Sequence, residues 1–335
     1  MTTGTLRVDT YLDPEDLHSA LRDDVATGLT STPKDLPPKW FYDDLGSELF
    51  EKITRLPEYY PTQRERSILV ERADVIVAAS GADTLVELGS GTSEKTRILL
   101  NAFRRAGSLR TFAPFDVSEA TLREAARQVA AEYPGTAVHA VVGDFERHLE
   151  HIPTDGHRMV AFLGGTIGNF TPSSRAEFLH TLAMTLRPGE TLLLGTDLVK
   201  DRDRLVRAYD DSAGVTAAFN KNVLQVMNRE LGANFEADDF AHIARWNADD
   251  EWIEMRLEAL RDVSVSVTAL DLDVRFVAGE QMRTEISSKF RRERLAAELT
   301  DAGFSLEEWW TDPDGDFALS LSRREPTGLA PACAD

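Results

Sequence analysis

One cysteine, Cys333, is all the thiol chemistry this sequence carries. Without a second cysteine there is no intramolecular disulfide, and the pattern fits a reducing, cytoplasmic setting. Basic residues are few: 37 Lys and Arg stand against 57 Asp and Glu, a formal charge of −20. Such a field repels nucleic acid and anionic membrane, which sets polyanions aside as partners. No apolar run approaches the roughly 20 residues of a membrane helix. Met1-Thr2-Thr3-Gly4 lacks the basic start and apolar block of a secretory leader. The seven histidines are scattered, and His148-Leu149-Glu150-His151 has no recognised metal spacing. It reads as a solvated segment, and no metal is expected. No Ser-His-Asp or Cys-His pattern, repeat or low-complexity segment is evident. What remains is 335 residues, 42% hydrophobic, enough for one large domain or two modest ones.

The most informative stretch runs from Thr84 to Lys95. Leu85 to Leu88 reads as a buried strand. Gly89 and Gly91 then permit a tight turn and bring bare backbone close to a ligand. Thr92 or Ser93 is placed to cap a helix over Lys95–Arg104, whose apolar stripe is Ile98, Leu99, Leu100 and Phe103. Strand, glycine turn and helix open a nucleotide-type site in doubly wound α/β folds. Glu94 stands where a dinucleotide fingerprint has its third glycine, and Glu87 precedes the first. This acid-x-Gly-x-Gly order resembles motif I of the S-adenosylmethionine (SAM) methyltransferases.

Strand and helix signals alternate from about residue 63 to 197. Strands are expected at Leu109–Phe115, Ala137–Val142, Arg158–Leu163 and Thr191–Gly195. Helices are expected at Arg64–Ser80, Ser118–Ala131 (capped by Ser118) and Ser174–Leu186. Beyond Asp197 the pattern changes. Arg204–Leu231 reads as helix, Trp252–Leu260, Val263–Val267 and Leu270–Val277 as antiparallel strands, and a helix resumes at Ser288. Phe317–Leu321 is the last expected strand.

Ligands of open α/β sheets bind at the carboxyl ends of strands. There Asp116 suits a ribose diol, and Asp144 with Phe145 suits an adenine amine and ring. Gly89 and Gly91 offer open backbone to the methionine tail. Lys95 suits the methionine carboxylate or a ribose oxygen. Asp116 would equally cap a helix, so the ordered set carries the SAM reading, not any one residue.

With Trp40-Phe41-Tyr42-Asp43, Pro57-Glu58-Tyr59-Tyr60-Pro61-Thr62, Gly164-Gly165-Thr166-Ile167-Gly168-Asn169-Phe170, Tyr209-Asp210-Asp211, Phe219-Asn220-Lys221-Asn222 and Glu285-Ile286-Ser287-Ser288-Lys289, the chain resembles the L-histidine Nα-methyltransferases, which form hercynine in ergothioneine biosynthesis. The resemblance covers about residue 9 to Ser322. It implies a Rossmann-like, class I methyltransferase sheet over 63–197 and 288–322. A second, α+β substrate-binding domain would come from 9–62 and 198–287, and 323–335 would be a flexible tail. Tyr42, Tyr59, Asn169 and Tyr209 would hold the amine and carboxylate of free L-histidine, with Tyr42 and Asn169 at the chemistry. Glu285 and Ser287 would hold the imidazole, with Met255 beside it. A monomer is expected.

The residue types agree with that assignment. Hydroxyls donate to a carboxylate without adding charge, an amide offers a donor and an acceptor, and a carboxylate accepts an imidazole N–H. From pattern alone Met255 is core and Glu285 is a surface charge. Trp40 and Phe41 read as core at a domain seam. Of the adjacent Tyr59 and Tyr60, one faces a pocket, and the resemblance selects Tyr59. A second reading keeps the chemistry but changes the acceptor to another amino acid or small amine.

Overall fold

In the computed structural model, which describes residues 5–326, the chain enters on a short strand, β1 (Leu6–Thr10). Helices α1 (Pro14–Thr30), α2 (Asp44–Ile53) and α3 (Pro61–Ser80) follow. An alternating run comes next: β2 (Thr84–Leu88), α4 (Thr96–Ala106), β3 (Thr111–Asp116), α5 (Glu119–Glu132) and β4 (Ala137–Val142). It continues through β5 (Arg158–Phe162), α6 (Pro172–Thr185) and β6 (Thr191–Asp197). Then come α7 (Arg202–Tyr209) and α8 (Val215–Leu231). The strands β7 (Phe240–Asn247), β8 (Trp252–Ala259), β9 (Val263–Val267), β10 (Leu272–Phe276) and β11 (Gln281–Ser288) are antiparallel to their neighbours. The chain closes with α9 (Arg292–Asp301), β12 (Phe304–Thr311) and β13 (Phe317–Arg324).

The large sheet has the order β1-β4-β3-β2-β5-β6-β13-β12. Its first six strands are parallel, and β13 enters antiparallel between β6 and β12. Strands β2 and β5 are buried end to end, with both faces covered; their apolar residues are broken only by Thr84 and Glu87 in β2 and by Arg158 at the start of β5. One face packs Leu69 of α3, Phe103 of α4 and Val129 of α5; the other packs Leu179 of α6 and Leu299 of α9. This is the doubly wound layering expected from the alternation. Each such side chain, fully buried, contributes about 1.5–3 kcal/mol over an exposed one. A third apolar cluster joins Val25 and Ile53 to Leu205, Leu224, Leu257 and Phe276, and so draws together the early helices and the late strands.

Several local expectations change. Among the described residues no side chain caps α4: Lys95 stands at its N-cap, and Ser93 has φ +54. The hydroxyl of Thr96 instead bonds the buried Glu87 carboxyl. Ser118 stands at the N-cap of α5 but donates its hydroxyl to Thr121, and Asp116 accepts the Ser118 N–H at 2.9 Å. The expected helix 204–231 is two helices, because the Asp211 carboxylate turns back to cap α8, accepting from Val215 and Thr216. Ser288 ends a strand, and α9 begins four residues later. Strands β1, β7 and β12 have no counterpart in the sequence reading. Arg323 and Arg324, placed in the tail from sequence, belong to β13. Residues 327–335, including Cys333, lie outside the described residues.

Candidate active site

Seven residues singled out from sequence line one cavity: Tyr42, Tyr59, Asn169, Tyr209, Met255, Glu285 and Ser287. Gly164 and Gly165, past the end of β5, form part of the same wall, so the cavity opens onto the carboxyl ends of the large sheet. The space enclosed, mouth included, is about 610 Å³. Tyr42 is at the rim, 39% exposed, while Tyr59, Tyr209, Glu285 and Ser287 are buried.

A β-bulge aims the Glu285 side of the wall. On β11, Arg283 faces Arg256 of β8, but Glu285 faces the next residue, Met255. Thr284 is the extra residue, and its buried hydroxyl bonds the Asn220 amide oxygen at 2.6 Å. Two residues against one is how a bulge re-aims a side chain. Glu285, Met255 and Ser287 therefore share the cavity wall. The Glu285 side chain has no hydrogen-bond partner among the described residues, and burial, only partly opposed by Lys289, pushes its carboxyl up to about 8.

Rings form the rest of the wall. Tyr42 meets Phe50 and Phe219 edge-on, both at 5.5 Å between centroids, and Tyr59 meets Tyr209 at 6.2 Å. Burial pushes the Tyr59 and Tyr209 phenols well up, so both remain protonated. Asn169 ends a 3-10 turn, Thr166–Asn169, that lies against β11. A Cβ on Gly168 would fall 3.0 Å from the Ser288 carbonyl oxygen, so any larger residue would crowd this approach. Met255 proves to be both core and cavity wall. Phe41 is fully buried, as expected of core, and Trp40 packs against the same cluster.

A buried polar network stands behind the cavity. Tyr209 and Ser287 are hydrogen-bonded at 2.8 Å. Lys289 donates to both, at 2.9 Å each, and pairs with Asp197 at 2.8 Å. Lys200 binds the other oxygen of Asp197, and the Tyr60 hydroxyl donates to the same carboxylate. Burial works against the Asp197 charge, but Lys289 and Lys200 hold the carboxylate below its ordinary range. Thus Tyr59 faces the cavity and Tyr60 the network. The sequence reading assigned no role to Asp197 or Lys289. Their signals were the acidic strand end and the lysine closing Glu285-Ile286-Ser287-Ser288-Lys289.

The glycine turn lies at the neighbouring strand ends. Gly89 and Gly91 have φ of +67 and +48, values that side-chain-bearing residues rarely adopt. Asp116 accepts the N–H of Gly91 at 2.8 Å and of Ser118 at 2.9 Å, one on each oxygen. The Phe145 ring is within 3.9 Å of a Cβ built on Gly89 and packs edge-on against Phe162. Asp144 accepts the Glu146 N–H at 2.8 Å. Lys95 is paired with the buried Glu65, which the sequence reading missed. Two buried hydroxyls of the turn, Ser90 and Ser93, have no partner among the described residues. Open backbone, unpaired hydroxyls, a carboxylate and a ring together fit a nucleoside bearing an amino-acid tail.

Asp312, Asp314 and Asp316 bring carboxylate oxygens within 4.8 Å of one another. Arg64 and Arg204 set two guanidinium charges against these three carboxylates, and backbone N–H groups occupy Asp312.

Comparison with known proteins bears on the whole chain. A family model described as histidine-specific, SAM-dependent methyltransferase matches residues 21–324. Histidine N-alpha-methyltransferase of Mycolicibacterium smegmatis is 62% identical over 320 residues, covering 96% of this chain and 100% of that protein. The protein of the same name from Mycobacterium tuberculosis is 58% identical over 317 residues, covering 95% and 99%. Ergothioneine biosynthesis protein 1 of Schizosaccharomyces pombe is 31% identical over 242 residues, 69% of this chain but 31% of that larger protein. A match this continuous, from the first helix to the last strand of the large sheet, makes the chain a member of the histidine-specific, SAM-dependent methyltransferases.

Proposed function

We propose that this enzyme transfers methyl groups from SAM to the α-amine of free L-histidine, three in succession, giving hercynine as the first step of ergothioneine biosynthesis. The observation that carries the acceptor is the cavity. A buried carboxyl, Glu285, without a hydrogen-bond partner among the described residues, shares the cavity wall with the Ser287–Tyr209 hydroxyls, the other tyrosines and Asn169. Glu285 suits the imidazole N–H and Ser287 the other ring nitrogen, while Tyr59, Tyr209 and Asn169 suit the carboxylate and amine. Met255 packs beside the ring.

SAM, when bound, supplies the methyl group on a sulfonium carrier. Asp116 would hold its ribose, Asp144 and Phe145 its adenine, and Gly89 and Lys95 its tail. The attacking nitrogen needs a lone pair, so the amine must lose a proton before each transfer; even a peptide α-amine has a pKa of roughly 7.7–8. In this reading that proton leaves through a hydroxyl such as that of Tyr42, at the rim, or through ordered water. Most of the acceleration comes from alignment of amine and methyl, the contribution that held geometry makes. As methyls replace N–H groups, the faces of Tyr42 and Tyr59 offer cation–π contact to the growing ammonium.

In this reading 9–62 and 198–287 form the substrate-binding part, and 63–197 with 288–322 the SAM-binding part. The shared apolar cluster of early helices and late strands supports the first. The enzyme acts as a cytoplasmic monomer, and no step calls for a metal. No helix among the described residues is long and apolar enough to cross a membrane. A time course of histidine with SAM, read by mass spectrometry, should show mono-, di- and trimethylated species in order. Faster methylation of tryptophan or tyrosine would sink the histidine assignment and favour a different amino-acid acceptor.

A further inference from the structure

Lys289 is a buried cation to which the reaction above gives no part. Its side chain is fully shielded from solvent. An ammonium has three N–H donors and no acceptor. Here each has a partner: the Tyr209 hydroxyl, the Ser287 hydroxyl and Asp197. The two hydroxyls are bonded to each other as well.

The protons can be counted. The hydroxyl pair carries two. Lys289 occupies a lone pair on each oxygen, so neither proton points toward it. One proton lies between the oxygens. The other has no further acceptor among the described residues, and both side chains line the cavity. In the histidine reading Tyr209 donates to Ser287, so the O–H turned outward is that of Ser287, and the Tyr209 oxygen keeps a lone pair for the substrate amine. Were Lys289 absent, both oxygens would regain a lone pair, and the pair would accept as readily as donate.

We infer that Lys289 is a positioning residue that sets the Tyr209–Ser287 pair as a hydrogen-bond donor toward the substrate ring, and so demands a ring acceptor there. The inference rests on the histidine reading. A neutral imidazole has one N–H and one bare nitrogen, and thus meets both Glu285 and the outward O–H. An indole has the N–H but no bare nitrogen, which leaves the buried O–H unpaired. That is the arrangement by which sites built for hydrogen bonding reject near-isosteres.

The test compares L-histidine with β-(2-thienyl)alanine, whose ring has neither N–H nor bare nitrogen. Binding is measured by calorimetry with S-adenosylhomocysteine present, so that no turnover occurs. In Lys289→Met, Asp197 keeps Lys200 and Tyr60 as partners. This variant should weaken histidine about ten- to a hundredfold, as loss of a charged hydrogen bond does, and leave thienylalanine unchanged. Lys200→Met, which removes the other lysine on the same carboxylate, should leave the ratio of the two affinities where it was. Equal weakening of both ligands by Lys289→Met, or undiminished histidine affinity, would overturn the inference. If Lys289→Met is not recovered folded, Lys289→Gln is read by the same ratio. Wild-type protein that binds histidine no better than thienylalanine would instead defeat the histidine reading itself.

Discussion

Glu65 and Lys95 form an ion pair beside the glycine turn, with the acid wholly buried and the lysine a quarter exposed. The other oxygen of Glu65 accepts the Gly164 N–H at 2.7 Å. One carboxylate therefore joins α3, the start of α4 and the end of β5. Glu65→Ala leaves the lysine unpaired and the amide unsatisfied. A loss of about 3 kcal/mol is expected, the low end for breaking a buried pair because Lys95 is partly solvated. Urea unfolding measures it; an unchanged midpoint would show the pair to be incidental.

Asp116 anchors the glycine turn through the Gly91 N–H, and in the proposed reading it also holds the ribose of SAM. Asp116→Ala removes the partner of the Gly91 and Ser118 N–H groups. SAM affinity should fall about ten- to a hundredfold, the effect of about 1–3 kcal/mol of lost hydrogen bonding. Histidine should be affected less. Calorimetric titration of each ligand separates the two.

Glu285 gives a pH dependence with a definite sign. Its carboxyl is raised from 4.5 to about 8, as is that of Glu87. A folded-state pKa above the unfolded one means the folded protein holds the proton more tightly. The stability this contributes is complete below about pH 4.5 and is lost as pH rises to about 8. Glu285→Gln keeps the shape without the charge. The apo variant should therefore be more stable than wild type at pH 8, by up to roughly 4 kcal/mol, and equal to it at pH 4.5. Its histidine affinity should fall while SAM affinity holds. Thermal melts across this range, with and without histidine, check both statements.

Glu190 works in the opposite direction. Burial opposes its charge, but Arg158 and Arg187 hold it down to about 2. Its contribution is present above about pH 4.5 and is lost as pH falls toward 2. Arg158 is itself 1% exposed, so Arg158→Met should cost about 3–5 kcal/mol by leaving the acid with Arg187 alone. A retained melting temperature in that variant would count against the assignment.

Gly168→Ala tests the approach of the Asn169 turn to β11. The new methyl would meet backbone atoms of Ser288 at 3.0 and 3.2 Å, which cannot rotate away. A loss of about 1–3 kcal/mol is expected, the usual cost of overpacking, together with weaker histidine binding. Full histidine affinity would mean the turn does not set the cavity.

The parallel half of the sheet was legible because β2 to β6 are short apolar runs ended by Gly or Asp. The strand Ala137–Val142 falls where its sequence places it. Edge and amphipathic strands carry weaker signals. Strand β12 mixes Glu307 and Glu308 with tryptophans and holds a register shift beside Leu306, so no clean alternation marks it. All seven acceptor-side residues meet in one cavity, but resemblance selected them, not periodicity. The Thr284 bulge that brings Glu285 to Met255 is invisible to any period-two pattern. Lys289 and Glu65 were missed because burial of a charge is decided by partners distant in sequence.

The position of β13 has a consequence for how the enzyme comes into being. Phe317, its first residue, closes one side of the cavity whose other walls begin at Tyr42, and β13 must enter between β6 and β12. A chain still being synthesised has the glycine turn and all the parallel strands but no completed sheet. In the proposed reading, the acceptor cavity is therefore complete only once β13 is in place. A fragment ending before β13 would lack the Phe317 side of that cavity.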